Sequence, residues 1–266
     1  MKAKAVLVLV DGLRPDAIEL CGNSFLLEAQ KEATSCFCAN SVVPPITLPC
    51  HTSLFYSVEP RRHGITTNLW MPLVRPIDSL GDIVAKSGKK AAMFYNWEQL
   101  RDLNRPGSLH FSYFQSQCGI LQRDMEMERE MTDNAVSYLR KEQPDFLFLY
   151  LGYTDEAGHD YGWMGKEYLT AAANASECIR KLKEQLPDGY HLIVTADHGG
   201  HERTHGMEIP EDMTIPMLFI GPKFAAGKTV SGVSLLDIAP TIADILEIEC
   251  PREWEGNSLL AGRKEE

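Results

Sequence analysis

The feature that most constrains this chain is a set of three apolar runs, each followed within four residues by an aspartate. The runs and their aspartates are 5–10 with Asp11, 146–151 with Asp155, and 192–196 with Asp197. Apolar runs of this length are typical of parallel strands that are buried on both faces. Open α/β sheets bind ligands at the carboxyl ends of such strands. We therefore expect the three carboxylates to lie together at one edge of a sheet and to bind cations.

Strand and helix patterns alternate along the chain. The predicted strands are 4–10, 36–43, 91–95, 146–151, 192–196 and 215–220, and the predicted helices are 25–29, 48–57, 80–87, 122–142, 166–186 and 237–246. This order predicts an α/β fold with a doubly wound, mostly parallel sheet and helices on both faces. We expect a single domain over residues 1–266, in which the irregular segment 96–121 forms a small insert or lid near the site.

Composition and charge exclude several classes of partner. The chain has 266 residues and a formal net charge of −11, and an acidic surface opposes binding to nucleic acid polymers. No stretch approaches the ~18 apolar residues of a membrane span, and the N-terminal run lacks the cleavage site of a signal peptide. The seven cysteines are irregularly spaced, so we interpret them as free thiols in a reducing compartment. The sequence thus predicts a cytoplasmic protein without a membrane partner.

Two short motifs carry candidate metal ligands. Asp155 and His159 are four residues apart and meet on one face if the segment makes a helical turn. Their carboxylate and imidazole groups both suit Zn²⁺, although an Asp–His hydrogen bond in a loop is the alternative. Asp197 and His198 are adjacent, and the glycines at 199–200 permit the turn that would bring both side chains to one ion. An aspartate turn after a strand is the alternative for this motif.

Three more residues extend the candidate set. Asp11 stands at a strand-to-loop junction, where a turn-initiating aspartate is the alternative. His205 lies in a polar loop and is a candidate ligand. His201 in the same loop is a further possible ligand, although we favour its interpretation as a solvated residue.

Thr47 is a candidate nucleophile because it stands at the start of a predicted helix. A threonine at this position is most often an N-cap. The same geometry directs backbone N–H groups at an anion, and a metal ion beside the hydroxyl would favour its nucleophilic alkoxide form.

The candidates make chemical sense as one site. Three carboxylates on one rim would repel one another and raise their pKa values in the absence of a cation. Two Zn²⁺ ions bring a charge of +4 against −3 from the aspartates, and the remaining +1 suits an anionic phosphoryl group. Two metal ions are also able to stabilise the attacking and leaving oxygens of an in-line displacement.

Six motifs, in order, resemble the type I phosphodiesterase/nucleotide pyrophosphatase family of the alkaline phosphatase superfamily. They are residues 10–16, 45–51, 63–68, 155–159, 197–199 and 205–206. The resemblance extends from residue 6 to about residue 246, where the segment 236–242 is similar to the last helix of the superfamily. It implies an alkaline-phosphatase-like fold.

The resemblance also implies roles for the candidates. One zinc ion would be held by Asp155, His159 and His205. The other would be held by Asp11, Asp197 and His198, with Thr47 beside it as ligand and nucleophile. Asn68 matches the residue that donates a hydrogen bond to a phosphoryl oxygen. The family implies a zinc-dependent phosphoric ester hydrolase, in particular a phosphodiesterase for small-molecule esters that acts through a phosphothreonine intermediate.

Two departures from the family pattern affect specificity. Leu48 stands where members that hydrolyse nucleotides have an aromatic residue to stack on the base, and His205 follows His198 by only seven residues. The pattern leaves open a phosphomonoesterase or phosphonate hydrolase of the same superfamily, and a catalytically idle metal-binding module. A formylglycine sulfatase is disfavoured because the nucleophile position holds threonine.

Overall fold

A computed structural model of the chain describes residues 2–73, 76–103 and 107–260. Its centre is a sheet of eight strands within these ranges. The strands are β1 (Lys4–Val10), β2 (Ala33–Asn40), β3 (Ala91–Tyr95), β4 (Phe111–Phe114), β5 (Phe146–Leu151), β6 (Tyr190–Thr195), β7 (Thr214–Ile220) and β8 (Lys228–Thr229). Their spatial order is β4-β3-β5-β1-β6-β7-β2-β8. Every side chain of β5 and β6 is buried, as the apolar runs predict.

The helices cover both faces of the sheet. They are α1 (Pro15–Leu20), α2 (Phe25–Ala29), α3 (Thr47–Tyr56), α4 (Pro60–His63), α5 (Leu80–Lys86), α6 (Leu121–Glu142), α7 (Tyr153–Tyr161), α8 (Lys166–Glu184), α9 (Pro210–Met213) and α10 (Ile238–Leu246). Helices α1, α2, α6 and α7 form one group around α8, whereas α3, α4, α5 and α10 form another. The predicted α/β fold with a doubly wound, mostly parallel sheet is confirmed.

The register of the central strands brings three strand ends to one rim. Strand β1 pairs in parallel with β5 and β6, so Val10 lies beside Leu151 and Leu9 lies beside Thr195. The residues that follow these strands therefore emerge at the same edge of the sheet. Asp11, Asp155 and Asp197 belong to those following segments.

Strand β7 runs antiparallel to both of its neighbours, β6 and β2. The connection from β6 to β7 holds only the short helix α9 and no helix that crosses a face of the sheet. A connection that stays at one rim must return the chain in the opposite direction. The segment 196–213 therefore stays at the rim where the three aspartates emerge.

The segment 96–121 contributes to the main sheet. Residues Phe111–Phe114 form β4, which pairs in parallel with β3 at the sheet edge, a strand that the sequence pattern does not predict. A 3-10 helix at Glu98–Leu103 precedes it, and residues 104–106 of this segment lie outside the described residues. A lid role for the segment stays a prediction.

Among the described residues, every helix is too short or too polar to cross a membrane. All seven cysteines carry free thiols.

Candidate metal centre

Asp11, Asp197 and His198 form one group of candidate ligand atoms. Nε2 of His198 lies 3.3 Å from Oδ1 of Asp11 and 3.4 Å from Oδ2 of Asp197. One ligand atom from each residue lies within 4.8 Å of the other two, a spacing that a single ion would bridge. The group forms because Asp11 follows β1 and Asp197 follows β6, the neighbour of β1 in the sheet.

Asp155 lies beside this group and contacts two more histidines, His159 and His205. The segment after β5 makes the helical turn that the spacing requires, so that Nε2 of His159 lies 3.4 Å from Oδ2 of Asp155 within α7. Nε2 of His205 lies 3.8 Å from Oδ1 of the same carboxylate. The ring of His198 stacks on His205 at a centroid distance of 3.8 Å, and the second group of ligand atoms within 4.8 Å of one another belongs to Asp155, His198 and His205. His159 contacts Asp155 but is not part of that group. The two groups are contiguous, because His198 belongs to both.

The three carboxylates share an unusual property. Each has one buried oxygen without a hydrogen-bond partner among the described residues, namely Oδ1 of Asp11, Oδ1 of Asp155 and Oδ2 of Asp197. A buried polar atom without a partner costs roughly 1–3 kcal/mol. Oxygens that point at shared space and lack partners are what a divalent cation would satisfy, and carboxylate and imidazole groups match the ligand preferences of Zn²⁺.

Burial also explains the protonation states of the centre. It raises the pKa of Asp11 well above its ordinary value, with further repulsion from Asp197 and Asp155, and it raises the pKa of Asp155 and Asp197 as well. Burial lowers the pKa of His198 to about 4 and that of His205 to about 3. Both imidazoles are therefore neutral at pH 7, which is the metal-binding form. The short distances between these imidazoles and the aspartates are therefore not ion pairs. They bring candidate ligand atoms together.

Thr47 is the first residue of α3, and the N-cap position belongs to Ile46. The Thr47 side chain is buried, and its Oγ1 lies 3.3 Å from Nε2 of His198. The N-cap interpretation is therefore wrong, because Ile46 occupies the N-cap position and the Thr47 hydroxyl lies beside the candidate ligand His198. Asn68 is exposed, and its Oδ1 accepts a hydrogen bond from the backbone N–H of Leu48 at 3.0 Å. This bond orients the amide beside Thr47 and leaves its N–H groups as donors.

The side chain of Trp163 contacts the segments that carry both ligand groups. Its ring packs so closely on Gly158 and Gly200 that an added Cβ would lie 2.6 Å and 2.2 Å from ring atoms, respectively. Its Nε1 donates to the carbonyl of Gly12 at 3.0 Å, and its ring meets His159 edge-on at 5.0 Å. The helix with Asp155, the turn after His198 and the end of β1 thus share one aromatic support.

Two more residues contact the centre, and sequence reasoning missed one of them, Tyr150. Tyr150 donates a hydrogen bond to Oδ2 of Asp11, and the signal for it is a hydroxyl-bearing residue near the end of a buried strand. His51 lies buried in α3, where its Nδ1 donates to the carbonyl of Thr47 at 2.8 Å and lies 3.5 Å from Oδ2 of Asp197. The interpretation of His201 as a solvated residue is corrected in part, because its partly exposed side chain also hydrogen-bonds to Asp212.

The type I phosphodiesterase/nucleotide pyrophosphatase family model matches residues 5–212. The chain belongs to this family. Members of this family are metal-dependent hydrolases.

Curated relatives match a shorter part of the chain. The 2,3-bisphosphoglycerate-independent phosphoglycerate mutase of Clostridioides difficile is 31% identical over 139 residues, which are 50% of this chain and 27% of the relative. The mutase of Hahella chejuensis is 31% identical over 137 residues, which are 49% of this chain and 26% of the relative. The chain thus spans about a quarter of the length of these relatives.

Solved structures match nearly all of the chain. Murine ectonucleotide pyrophosphatase/phosphodiesterase 5, in an inactive threonine-to-alanine form in complex with AMP, gives a TM-score of 0.77 at 15% identity and covers 97% of each chain. A phosphonate monoester hydrolase from Silicibacter pomeroyi gives 0.73 at 15% identity, over 97% of this chain and 76% of that one. A 2-O glycosaminoglycan sulfatase gives 0.73 at 17% identity, over 97% and 73%. At these identities the likeness establishes the fold.

Proposed function

We propose that this family member is a zinc-dependent phosphodiesterase that acts on small-molecule phosphate esters through a phosphothreonine intermediate at Thr47. The observation that carries the proposal is the convergence of three buried carboxylate oxygens that lack hydrogen-bond partners among the described residues. They converge beside three imidazoles and one buried hydroxyl. These groups do not stabilise the fold by themselves, because each uncompensated buried acceptor destabilises it.

The residues divide between two ions. Asp155, His159 and His205 would hold one ion, whereas Asp11, Asp197 and His198 would hold the other with Thr47 beside it. When bound, the ions would neutralise the phosphoryl charge and favour deprotonation of the attacking oxygens.

Residues of the chain itself would carry out the remaining parts of the reaction, which are nucleophilic attack and stabilisation of the phosphoryl charge. Oγ1 of Thr47 forms a bond to phosphorus and the bond from phosphorus to the leaving oxygen breaks. The hydroxyl proton passes to solvent, from which the leaving alkoxide takes up a proton to become the alcohol. Backbone N–H groups at the start of α3 and the free N–H groups of Asn68 stabilise charge on the phosphoryl oxygens. Water then attacks the phosphothreonine, which releases a phosphomonoester and restores the hydroxyl. The inactive threonine-to-alanine form of the murine neighbour supports a threonine in this role.

The test compares two threonine substitutions on the same helix. Thr47→Ala should bind zinc like the wild type but lower kcat for a nitrophenyl phosphodiester by at least about a thousandfold, since loss of a nucleophile removes a whole reaction path. Thr47→Ser should retain part of the activity. Thr52→Ala is the control, because Thr52 is also buried in α3 but bonds to the carbonyl of Leu48. Wild-type kcat in Thr47→Ala would exclude the phosphothreonine mechanism.

A phosphomonoesterase or phosphonate hydrolase is the second candidate. It is favoured by the phosphonate monoester hydrolase with the same fold and by the mutase relatives, whose named substrate is a phosphomonoester. Comparison of kcat/KM for nitrophenyl phosphate, a nitrophenyl phosphodiester and a nitrophenyl phosphonate distinguishes the candidates. Zinc binding without turnover of any of the three would indicate an idle metal-binding module.

A further inference from the structure

A buried aspartate outside both ligand groups closes the loop that carries His205. The side chain of Asp212, in α9, is inaccessible to solvent. Its Oδ1 accepts a hydrogen bond from Nδ1 of His201 at 2.7 Å, and its Oδ2 accepts from the backbone N–H of Met207 at 2.8 Å. His201 and Met207 lie on either side of His205, so one carboxylate fastens the loop at both ends.

The backbone of α9 also fastens the turn that follows His198. The carbonyl of Asp212 accepts from the N–H of Gly199 at 2.8 Å, and the carbonyl of Glu211 accepts from the N–H of Gly200 at 2.9 Å. The approach is so close that a Cβ on Gly199 would lie 2.1 Å from the carbonyl oxygen of Glu211. The segments of His198 and His205 are therefore both attached to the same short helix.

The loop between its two attachments has little remaining freedom. His201 and Thr204 exchange two backbone hydrogen bonds of 2.9 Å each. Nδ1 of His205 then donates to the carbonyl of Pro45 at 2.9 Å, which turns Nε2 toward Asp155. A loop ordered before the metal binds does not lose that conformational freedom on binding, and outer partners of this kind contribute to metal affinity.

We propose that Asp212 and His201 form a positioning pair that holds His205, and with it the turn of His198, in metal-binding geometry. The proposal rests on the proposed function, because it assigns the pair a purpose at that site. His201 acts through its Nδ1–H group, since an ionised carboxylate only accepts hydrogen bonds. It is distinct from the proposed metal ligands, because its Nδ1 is engaged by the buried carboxylate of Asp212, which lies outside both ligand groups.

The substitutions separate hydrogen bonding from other roles of the same residues. His201→Asn keeps an N–H at the δ position, whereas His201→Ala removes the donor. Asp212→Asn keeps one acceptor oxygen but places an NH₂ group against the second donor. Glu211→Gln is the matched control, because it removes one negative charge from the same helix at an exposed side chain.

Zinc affinity is the first measurement. Titration against a competing chelator should show that His201→Ala and Asp212→Asn raise the Kd of the weaker zinc site by about tenfold or more, the usual effect of losing an outer-shell partner. His201→Asn and Glu211→Gln should remain near the wild type. Wild-type affinity in His201→Ala would overturn the proposal. An equal loss in His201→Asn would also overturn it, because His201 would then be a ligand itself.

Amide hydrogen exchange is the second measurement, and it does not depend on metal or turnover. In the full chain treated with chelator, residues 199–207 should exchange faster in His201→Ala and Asp212→Asn than in the wild type and His201→Asn. Unchanged exchange would overturn the positioning pair even if the wild type hydrolyses esters. Conversely, faster exchange in a protein that neither binds zinc nor hydrolyses esters would reject the proposed function and retain the pair.

Discussion

At the residue scale, the centre depends on groups whose burial is unfavourable unless a cation is present. Asp11 illustrates this, because burial and two neighbouring aspartates raise its pKa while one of its oxygens has no hydrogen-bond partner among the described residues. Tyr150 compensates the other oxygen. We therefore expect its hydroxyl to orient the Asp11 carboxylate for a metal.

Removal of that hydroxyl tests its role. Tyr150→Phe should weaken zinc binding by about 10- to 100-fold, because the second oxygen of Asp11 loses its donor and its orientation. Competitive zinc titration measures the effect. Tyr190→Phe is the control, since Tyr190 is also buried in the sheet but donates to the carbonyl of Pro144. Equal zinc affinity in wild type and Tyr150→Phe would contradict this role.

Leu48 leads to a prediction about specificity. Its side chain is fully buried, so it presents no surface on which a nucleotide base would stack. Base–aromatic stacking contributes roughly 1–3 kcal/mol, and we expect the enzyme to lack this contribution. The kcat/KM values for a nitrophenyl nucleotide ester and for nitrophenyl phenyl phosphate should therefore be similar. A preference of about a hundredfold for the nucleotide, worth nearly 3 kcal/mol, would reveal a base pocket elsewhere.

At the element scale, helix α7 carries Asp155 and His159, and a buried acid fixes its start. Glu128, from α6, accepts hydrogen bonds from the N–H of Tyr153 at 2.9 Å and from Nδ2 of Asn174 at 3.2 Å. Burial nevertheless raises the pKa of Glu128 to about 7. The attachment of α7 therefore includes a carboxyl group that titrates near neutral pH.

This pKa predicts a pH dependence of stability. A carboxyl whose folded-state pKa is raised binds more protons in the folded chain, so its contribution is present below the unfolded-state pKa and is lost as pH rises to about 7. Between pH 5 and pH 8 the free energy of unfolding should fall by up to about 3 kcal/mol more in the wild type than in Glu128→Gln. Urea denaturation at several pH values measures this difference. Glu130→Gln, an exposed acid on the same helix, should retain the wild-type slope, and parallel slopes for all three proteins would contradict the prediction.

At the scale of the whole molecule, the candidate metal centre joins segments that are far apart in the chain. Its candidate ligands follow β1, β5 and β6, and the contacts of Trp163 and α9 connect the same segments. A metal that binds only the folded chain stabilises all of these connections together.

Metal removal should therefore lower the melting temperature of the entire domain. At a zinc concentration of about 100 times Kd, binding adds about 2.7 kcal/mol, which corresponds to a rise of several degrees for a chain of this size. Thermal unfolding with chelator, and again after zinc is restored, measures the shift. Asp155→Asn should show a smaller zinc-dependent shift than the wild type. A melting temperature unaffected by chelator and zinc would contradict a structural contribution from the metal.

The local sequence pattern was sufficient to predict several strands and the place where the candidate ligands lie. Unbroken apolar runs report strands buried on both faces, so β1, β3, β5 and β6 were predictable, and the aspartates after three of them indicated where ligands gather. The i, i+4 spacing of Asp155 and His159 also predicted their shared helical face. Such signals are readable because each depends on the period of a single element.

The features that the sequence pattern did not predict depend on contacts between segments that are distant in the chain. The antiparallel direction of β7 depends on where a connection lies, and β4 forms only because β3 offers an edge for pairing. Three contacts of the centre likewise exist only in the folded chain. They are the position of His198 in both ligand groups, the hydrogen bond from Tyr150 to Asp11 and the hydrogen bond from His201 to Asp212. Sequence periodicity records whether a side chain is buried, whereas the identity of its partner depends on strand register and packing across the whole sheet.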